Sequence, residues 1–145
     1  MQSQGLIGLG KDSLDHSKSE IRQVFQVLAD SREYPVMIHC TQGKDRTGLV
    51  VILLLLLLET PLHIVSADYV ASERLLLSEK EARMQELKEM GLSEDFTGCP
   101  GTFVADMHDH IRKTYGSVQR YLQCIGVGQA MQEKIKQNVL EQQRQ

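Results

Sequence analysis

The sequence predicts an α/β fold dominated by helices, with only a short sheet. Three observations carry that expectation. Val36-Met37-Ile38 is apolar without the alternation of a half-exposed strand, as in a strand covered on both faces. Helical spacing and helix punctuation fill the chain after Arg46. Between the two lies a loop of glycines and charges at 39–48.

The length of 145 residues fits one domain, taken as 1–145, with a real core. At 41% hydrophobic and 24% charged residues it is globular. Lys+Arg 16 against Asp+Glu 19 gives a net charge of −3, which argues against a nucleic-acid partner. Three cysteines (Cys40, Cys99, Cys124) are too few for a disulfide framework. Their odd number, and a first decapeptide without a charged n-region or long apolar run, point to a reducing, cytoplasmic location.

Residues 1–16 read as a loop because Gly5, Gly8 and Gly10 interrupt them. A helix follows, with Ser17 and Glu20 at capping-box spacing and Ile21, Val24, Phe25 and Leu28 on one face. Residues 34–39 read as the strand, with Pro35 near its start, where a missing N–H costs least. Residues 47–59 form a buried helix. Its core, 49–58, has ten residues without a polar side chain, half of what a membrane span needs, so no transmembrane segment is expected. Thr60 caps the next helix and Pro61 opens it. A charged helix at 78–90 has Glu79 and Arg83 at i, i+4 and stops at Gly91. After the turn at 97–101 come helices at 102–115, 118–125 and 129–141, separated by Gly116, Gly126 and Gly128.

The loop reads His39-Cys40-Thr41-Gln42-Gly43-Lys44-Asp45-Arg46-Thr47-Gly48. A tight turn between a strand and a helix N-terminus aims backbone N–H groups inward and builds an anion site. Gly43 permits backbone angles that a Cβ forbids, and Gly48 lets the helix approach the sheet. A thiol at the bottom of such a bowl loses its proton easily, favoured by the amides and by Arg46. The Arg46 fork matches two phosphoryl oxygens. Thiolate, amides and guanidinium together suit in-line attack on phosphorus.

This arrangement resembles the cysteine-dependent protein tyrosine phosphatases. The string HCTQGKDRTG is most similar to the atypical bacterial and fungal tyrosine/serine phosphatase family, and the order of downstream elements is similar too. The resemblance implies a tyrosine phosphatase-like fold and a phosphocysteine intermediate on Cys40. Arg46 and the N–H groups of Thr41, Gln42, Gly43, Lys44, Asp45 and Arg46 would bind the phosphoryl group. Thr47 would ease departure of the thiolate, and His39 would brace the loop. The resemblance places the general acid at Asp45. A carboxylate beside a dianion keeps its proton more readily, which suits that role. The plainer alternative is that Asp45 only pairs with a cation and fixes the loop. Asp68 is the second candidate acid, with a solvated helix residue as its plain reading. Lys44 is expected at the rim, where the resemblance links it to phosphoinositide as well as phosphoprotein substrates. An exposed lysine without that duty is the alternative.

Asp106, Asp109 and His110 share a helix face but lack the spacing of a structural zinc site, so neither metal nor cofactor is expected. Cys99 and Cys124 have no arginine six residues later and read as structural thiols. Residues 72–98 read as a solvated helical stretch or as a helical lid over the site.

Only 39 residues precede Cys40, too few for the sheet of the resembled phosphatases. An N-terminally truncated domain is expected. Its strand and apolar helix would need cover from the other helices, from a second copy, from a partner chain or from the missing segment. Two functions follow: phosphomonoester hydrolysis, or a weakly catalytic phosphate-binding or regulatory fragment.

Overall fold

Apolar spacing and glycine stops divide the chain into eight helices among the described residues. The computed structural model describes residues 5–92 and 94–144. In order, the helices are α1 (Gly5–His16), α2 (Lys18–Ala29), α3 (Arg46–Leu57), α4 (Leu62–Leu75), α5 (Lys80–Glu89), α6 (Phe103–Tyr115), α7 (Val118–Cys124) and α8 (Gln129–Gln142). Short 3-10 turns occupy Ser31–Glu33, Leu77–Glu79 and Glu94–Phe96.

The apolar run forms α3 as expected. Every residue from Thr47 to Leu58 is buried or half-buried, and Leu53 and Leu57 are fully enclosed. Helix α4 packs on α3 and α6, α7 packs on α3 and α6, and α1 lies on α6. Helix α2 pairs with α8. The Tyr69 ring of α4 stacks on Phe103 of α6, with centroids 4.7 Å apart. The core is therefore helix on helix, and truncating a residue such as Leu53 to Ala would cost about 2–5 kcal/mol.

Two expectations are corrected here. No strand occurs among the described residues, and 36–40 lack regular secondary structure. A strand needs a neighbour for its N–H and C=O groups, and the described chain supplies no second extended segment. Val36 and Ile38 pack against the core while Met37 is 84% exposed, so one side of this segment is open. The second correction concerns the predicted N-terminal loop. Residues 1–4 of it lie outside the described residues, but the rest is helix α1. Leu6, Gly10 and Leu14 are its buried stripe. Gly10 belongs there because a Cβ would meet Met107 Sδ at 2.8 Å and Phe103 Cζ at 2.9 Å.

Smaller differences are local. Ser17 is the N-cap of α2 but makes no side-chain cap bond; Glu20 instead accepts from Ser19 Oγ at 2.8 Å. Pro61, not Thr60, stands at the N-cap of α4. Arg83 pairs with Glu86 at 2.8 Å and not with Glu79. Gly91 and Gly116 follow their helices at positive φ, as their helix-stop role requires.

One polar cluster ties α1 to α6. Tyr115 Oη donates to Asp15 Oδ1 at 2.6 Å, and His110 Nε2 lies 3.0 Å from both Asp15 oxygens. His110 is thus committed to a carboxylate, and no metal-binding group of side chains occurs among the described residues. Burial pushes the Asp15 carboxyl up, but the bonds from Tyr115 and His110 outweigh it and hold it below the ordinary 3.8. Its folded value lies below the unfolded one, so this stabilisation is complete above the ordinary carboxylate range and is lost as pH falls through the folded value. Asp15→Asn should therefore lower Tm at pH 7 and flatten its fall as pH drops through and below the ordinary carboxylate range. Thermal denaturation followed by circular dichroism reads both effects; an unchanged pH slope would remove Asp15 from the acid response.

Candidate active site

The loop at 39–48 bends back on itself and enters α3 at Arg46. Its turn depends on Gly43, which sits at φ +65 with no atom within 4 Å of a Cβ. Conformation, not crowding, asks for glycine there. Gly48 is different. A Cβ on it would meet the Tyr69 ring at 3.1 and 3.2 Å, so the close approach expected against a sheet is made against α4.

Cys40 is half-buried at the base of the loop. Burial pushes its thiol up, but the Thr47 hydroxyl and the N–H groups of Thr47, Gln42 and Gly43 more than reverse that. The thiol is lowered from 9.0 to about 7. The Thr47 hydroxyl is buried and makes no hydrogen bond, so its proton is free to turn towards this sulfur. The Thr47 N–H faces the loop because the first amides of a helix lack intrahelical acceptors. Its neighbours Gly48 and Leu49 already donate to Lys44 O and Asp45 O, each at 3.0 Å. The expected help from the Arg46 charge does not figure among these causes. The amides and one hydroxyl are what lower the thiol.

Arg46 is exposed, and its Nη2 donates to Thr41 Oγ1 at 3.4 Å. The guanidinium therefore reaches back towards the residue after Cys40 and lies within the same loop. His39 is exposed and its ring bonds to nothing among the described residues, so the expected bracing is absent.

The Lys44 rim expectation is corrected. Lys44 is 1% exposed, its Nζ donates to the Gly98 carbonyl at 2.9 Å, and it lies 2.8 Å from Asp45 Oδ1. A buried ammonium requires such partners, because leaving it unpaired in a dry site is costly. Asp45 thus has the cation pair expected of it in the plainer reading, yet its side chain remains 29% exposed.

Both candidate acids border the loop. Asp45 lines a cavity of 260 Å³ walled by Leu6, Leu9, Arg83, Leu87, Leu92 and Phe96. Asp68 is exposed on α4 beside a 60 Å³ cleft that also touches Gly43 and Thr47. The stretch 72–98, of which Ser93 lies outside the described residues, thereby supplies one wall of the larger cavity through Arg83, Leu87, Leu92 and Phe96. Sequence reasoning missed Leu6, Leu9 and Gly98. The leucines at i, i+3 were a helical signal masked by neighbouring glycines. Gly98 carried no signal, since its role is its carbonyl. Of the remaining cysteines, Cys99 is buried and Cys124 exposed. No helix of the described residues is long and apolar enough to cross a membrane.

The family model described as "Tyrosine phosphatase family" matches residues 2–141. The tyrosine-protein phosphatase of Nostoc commune is 31% identical over 132 residues, which cover 85% of this chain and 45% of that protein. The triple specificity protein phosphatase PtpB of Mycobacterium tuberculosis is 30% identical over 132 residues, 80% of this chain and 47% of PtpB. The inositol diphosphatase DSP4 of Arabidopsis thaliana is 55% identical over 31 residues, 21% of this chain. The chain spans about half the length of the first two relatives.

Proposed function

From a chain that belongs to the tyrosine phosphatase family, we propose a phosphomonoester hydrolase that works through a phosphocysteine intermediate. The observation that carries this is the Cys40 thiol, brought to about 7 by the hydroxyl and amides around it. Such a sulfur is a nucleophile near neutral pH and a tolerable leaving group afterwards.

In the first step the Cys40 thiolate attacks phosphorus in line. The P–S bond forms as the bond from phosphorus to the leaving oxygen breaks, and Asp45 gives that oxygen its proton. The loop N–H groups and Arg46 hold the three equatorial oxygens. In the second step water attacks the phosphocysteine. Asp45 takes a proton from the water, the P–S bond breaks, and Thr47 Oγ1 donates to the departing thiolate. Inorganic phosphate leaves. Every proton is accounted for by water and Asp45, and the scheme routes no step through a metal.

The organic part of the substrate lies in the cavity beside Asp45. Its leucine and phenylalanine walls suit an aryl group, so phosphotyrosine is the first substrate class. Phosphoserine, phosphothreonine and phosphoinositides are the wider set that the resemblance of the loop implies, and one relative is named for a triple specificity. In this reading 1–145 acts as one phosphatase-like unit, and the stretch 72–98 acts as a helical lid. The alternative, a phosphate-binding fragment with weak turnover, is favoured by one observation: the segment leading into Cys40 has no strand partner among the described residues.

Turnover of p-nitrophenyl phosphate by the purified chain separates the two. Hydrolysis that EDTA leaves intact and vanadate blocks supports the enzyme; vanadate binding without turnover supports the fragment. Asp45→Asn should slow substrates with poor leaving groups about 100-fold and p-nitrophenyl phosphate far less. Equal slowing across leaving groups would take the acid role from Asp45 and leave Asp68 to be tested.

A further inference from the structure

Lys44 has none of the features of a substrate-binding lysine. It is a fully buried charge in a loop whose neighbours are half-buried or exposed. Its ammonium donates one hydrogen bond, to the Gly98 carbonyl at 2.9 Å, and forms an ion pair with Asp45 Oδ1, 2.8 Å away. To meet an anionic group on a substrate it would have to leave both partners and carry its charge out of the core. The contact with Gly98 spans 54 positions of sequence, so it joins the loop to the turn that precedes α6.

Asp45 gains a fixed geometry from this. Oδ1 is buried against the ammonium, while the side chain as a whole remains 29% exposed. Oδ2 is then the oxygen left to handle a proton. Resting on the phosphatase reading above, we infer that Lys44 is a positioning residue. Its ammonium, anchored on the Gly98 carbonyl, holds Asp45 by Oδ1 and turns Oδ2 towards the leaving group. When Asp45 passes its proton to the leaving oxygen and the P–O bond breaks, a carboxylate appears 2.8 Å from a cation already in place. That charge is stabilised without reorganisation, which is what makes a preorganised site effective.

The test compares the wild-type chain with Lys44→Met, Lys44→Gln, Lys44→Arg, Asp45→Asn and the Lys44→Met/Asp45→Asn double variant. The substrates are phenyl phosphate, whose leaving group needs a proton, and p-nitrophenyl phosphate, whose leaving group needs it little. Lys44→Met should lower kcat for phenyl phosphate at least about tenfold more than for p-nitrophenyl phosphate, with KM for both nearly unchanged. Lys44→Arg should restore part of the difference. The double variant should be no slower on phenyl phosphate than Asp45→Asn alone. Lys44→Gln, which keeps a donor for Gly98 but no charge, gives the same comparison if Lys44→Met fails to fold.

Equal losses on both substrates, additive losses in the double variant, or a rise in KM in place of a fall in kcat would each overturn the inference. A wild-type chain that hydrolyses neither substrate would remove the phosphatase reading and this inference together. An active wild type whose Lys44 variants lose kcat equally on both substrates would remove only the inference.

Discussion

Replacing Cys40 by serine should abolish measurable turnover of p-nitrophenyl phosphate, a loss of at least about a thousandfold. The reason is ionisation. The hydroxyl and amides that bring the thiol to about 7 leave a large thiolate fraction near neutral pH. The same donors cannot ionise a serine hydroxyl, whose proton is held far more tightly, and the nucleophile is lost. The fold should not suffer, since Cys40 is half-buried in a loop and serine is close to it in size. Vanadate should still bind, because the amides and Arg46 remain. The check is a pair of measurements on one sample, turnover and vanadate affinity. Full activity in Cys40→Ser would end the phosphocysteine scheme.

Arg46→Lys should have the second-largest effect, lowering kcat by about 10³-fold although the charge is kept. Arg46 is exposed, and its only side-chain hydrogen bond among the described residues is the 3.4 Å contact with Thr41 Oγ1. That long contact is readily exchanged for phosphoryl oxygens. A planar fork meets two of those oxygens at once and follows them as phosphorus becomes trigonal bipyramidal. An ammonium meets one. The loss should fall mainly on kcat, since the contact matters most where charge is spread over the equatorial oxygens. Stability should change little, because the guanidinium carries no buried contact. A variant with wild-type kcat would show that the amides alone hold the phosphoryl group.

How far such readings run from sequence depends on the residue. The helix α3 was legible because ten apolar residues leave no polar face, so burial follows from composition. Cys40, Gly43 and Thr47 were legible because a tight anion loop needs those residue types at those places. Helix α1 was not. Three glycines in its sequence each disfavour a helix by about 1 kcal/mol, and only packing on α6 repays that. At Gly10 the packing is close enough that any side chain would collide with Met107 and Phe103. The strand at 34–39 was overread for the opposite reason. Its apolar run is compatible with a sheet, but a sheet is a property of neighbours, and no neighbouring strand occurs among the described residues. Lys44 shows the same limit within the site. Sequence gives its charge and its place in the loop, whereas its burial is decided by a carbonyl 54 positions away.

The central claim is that hydroxyl and amide donors, more than the arginine, activate the sulfur of Cys40. Its most direct test is the rate of Cys40 alkylation by iodoacetamide as a function of pH, resolved from Cys99 and Cys124 by mass spectrometry of the peptides. A midpoint near 7 is expected in the wild-type chain, little changed by the neutral Arg46→Met and moved towards the ordinary thiol value by Thr47→Val. A wild-type midpoint near 9, or one that Arg46→Met moves and Thr47→Val does not, would contradict it.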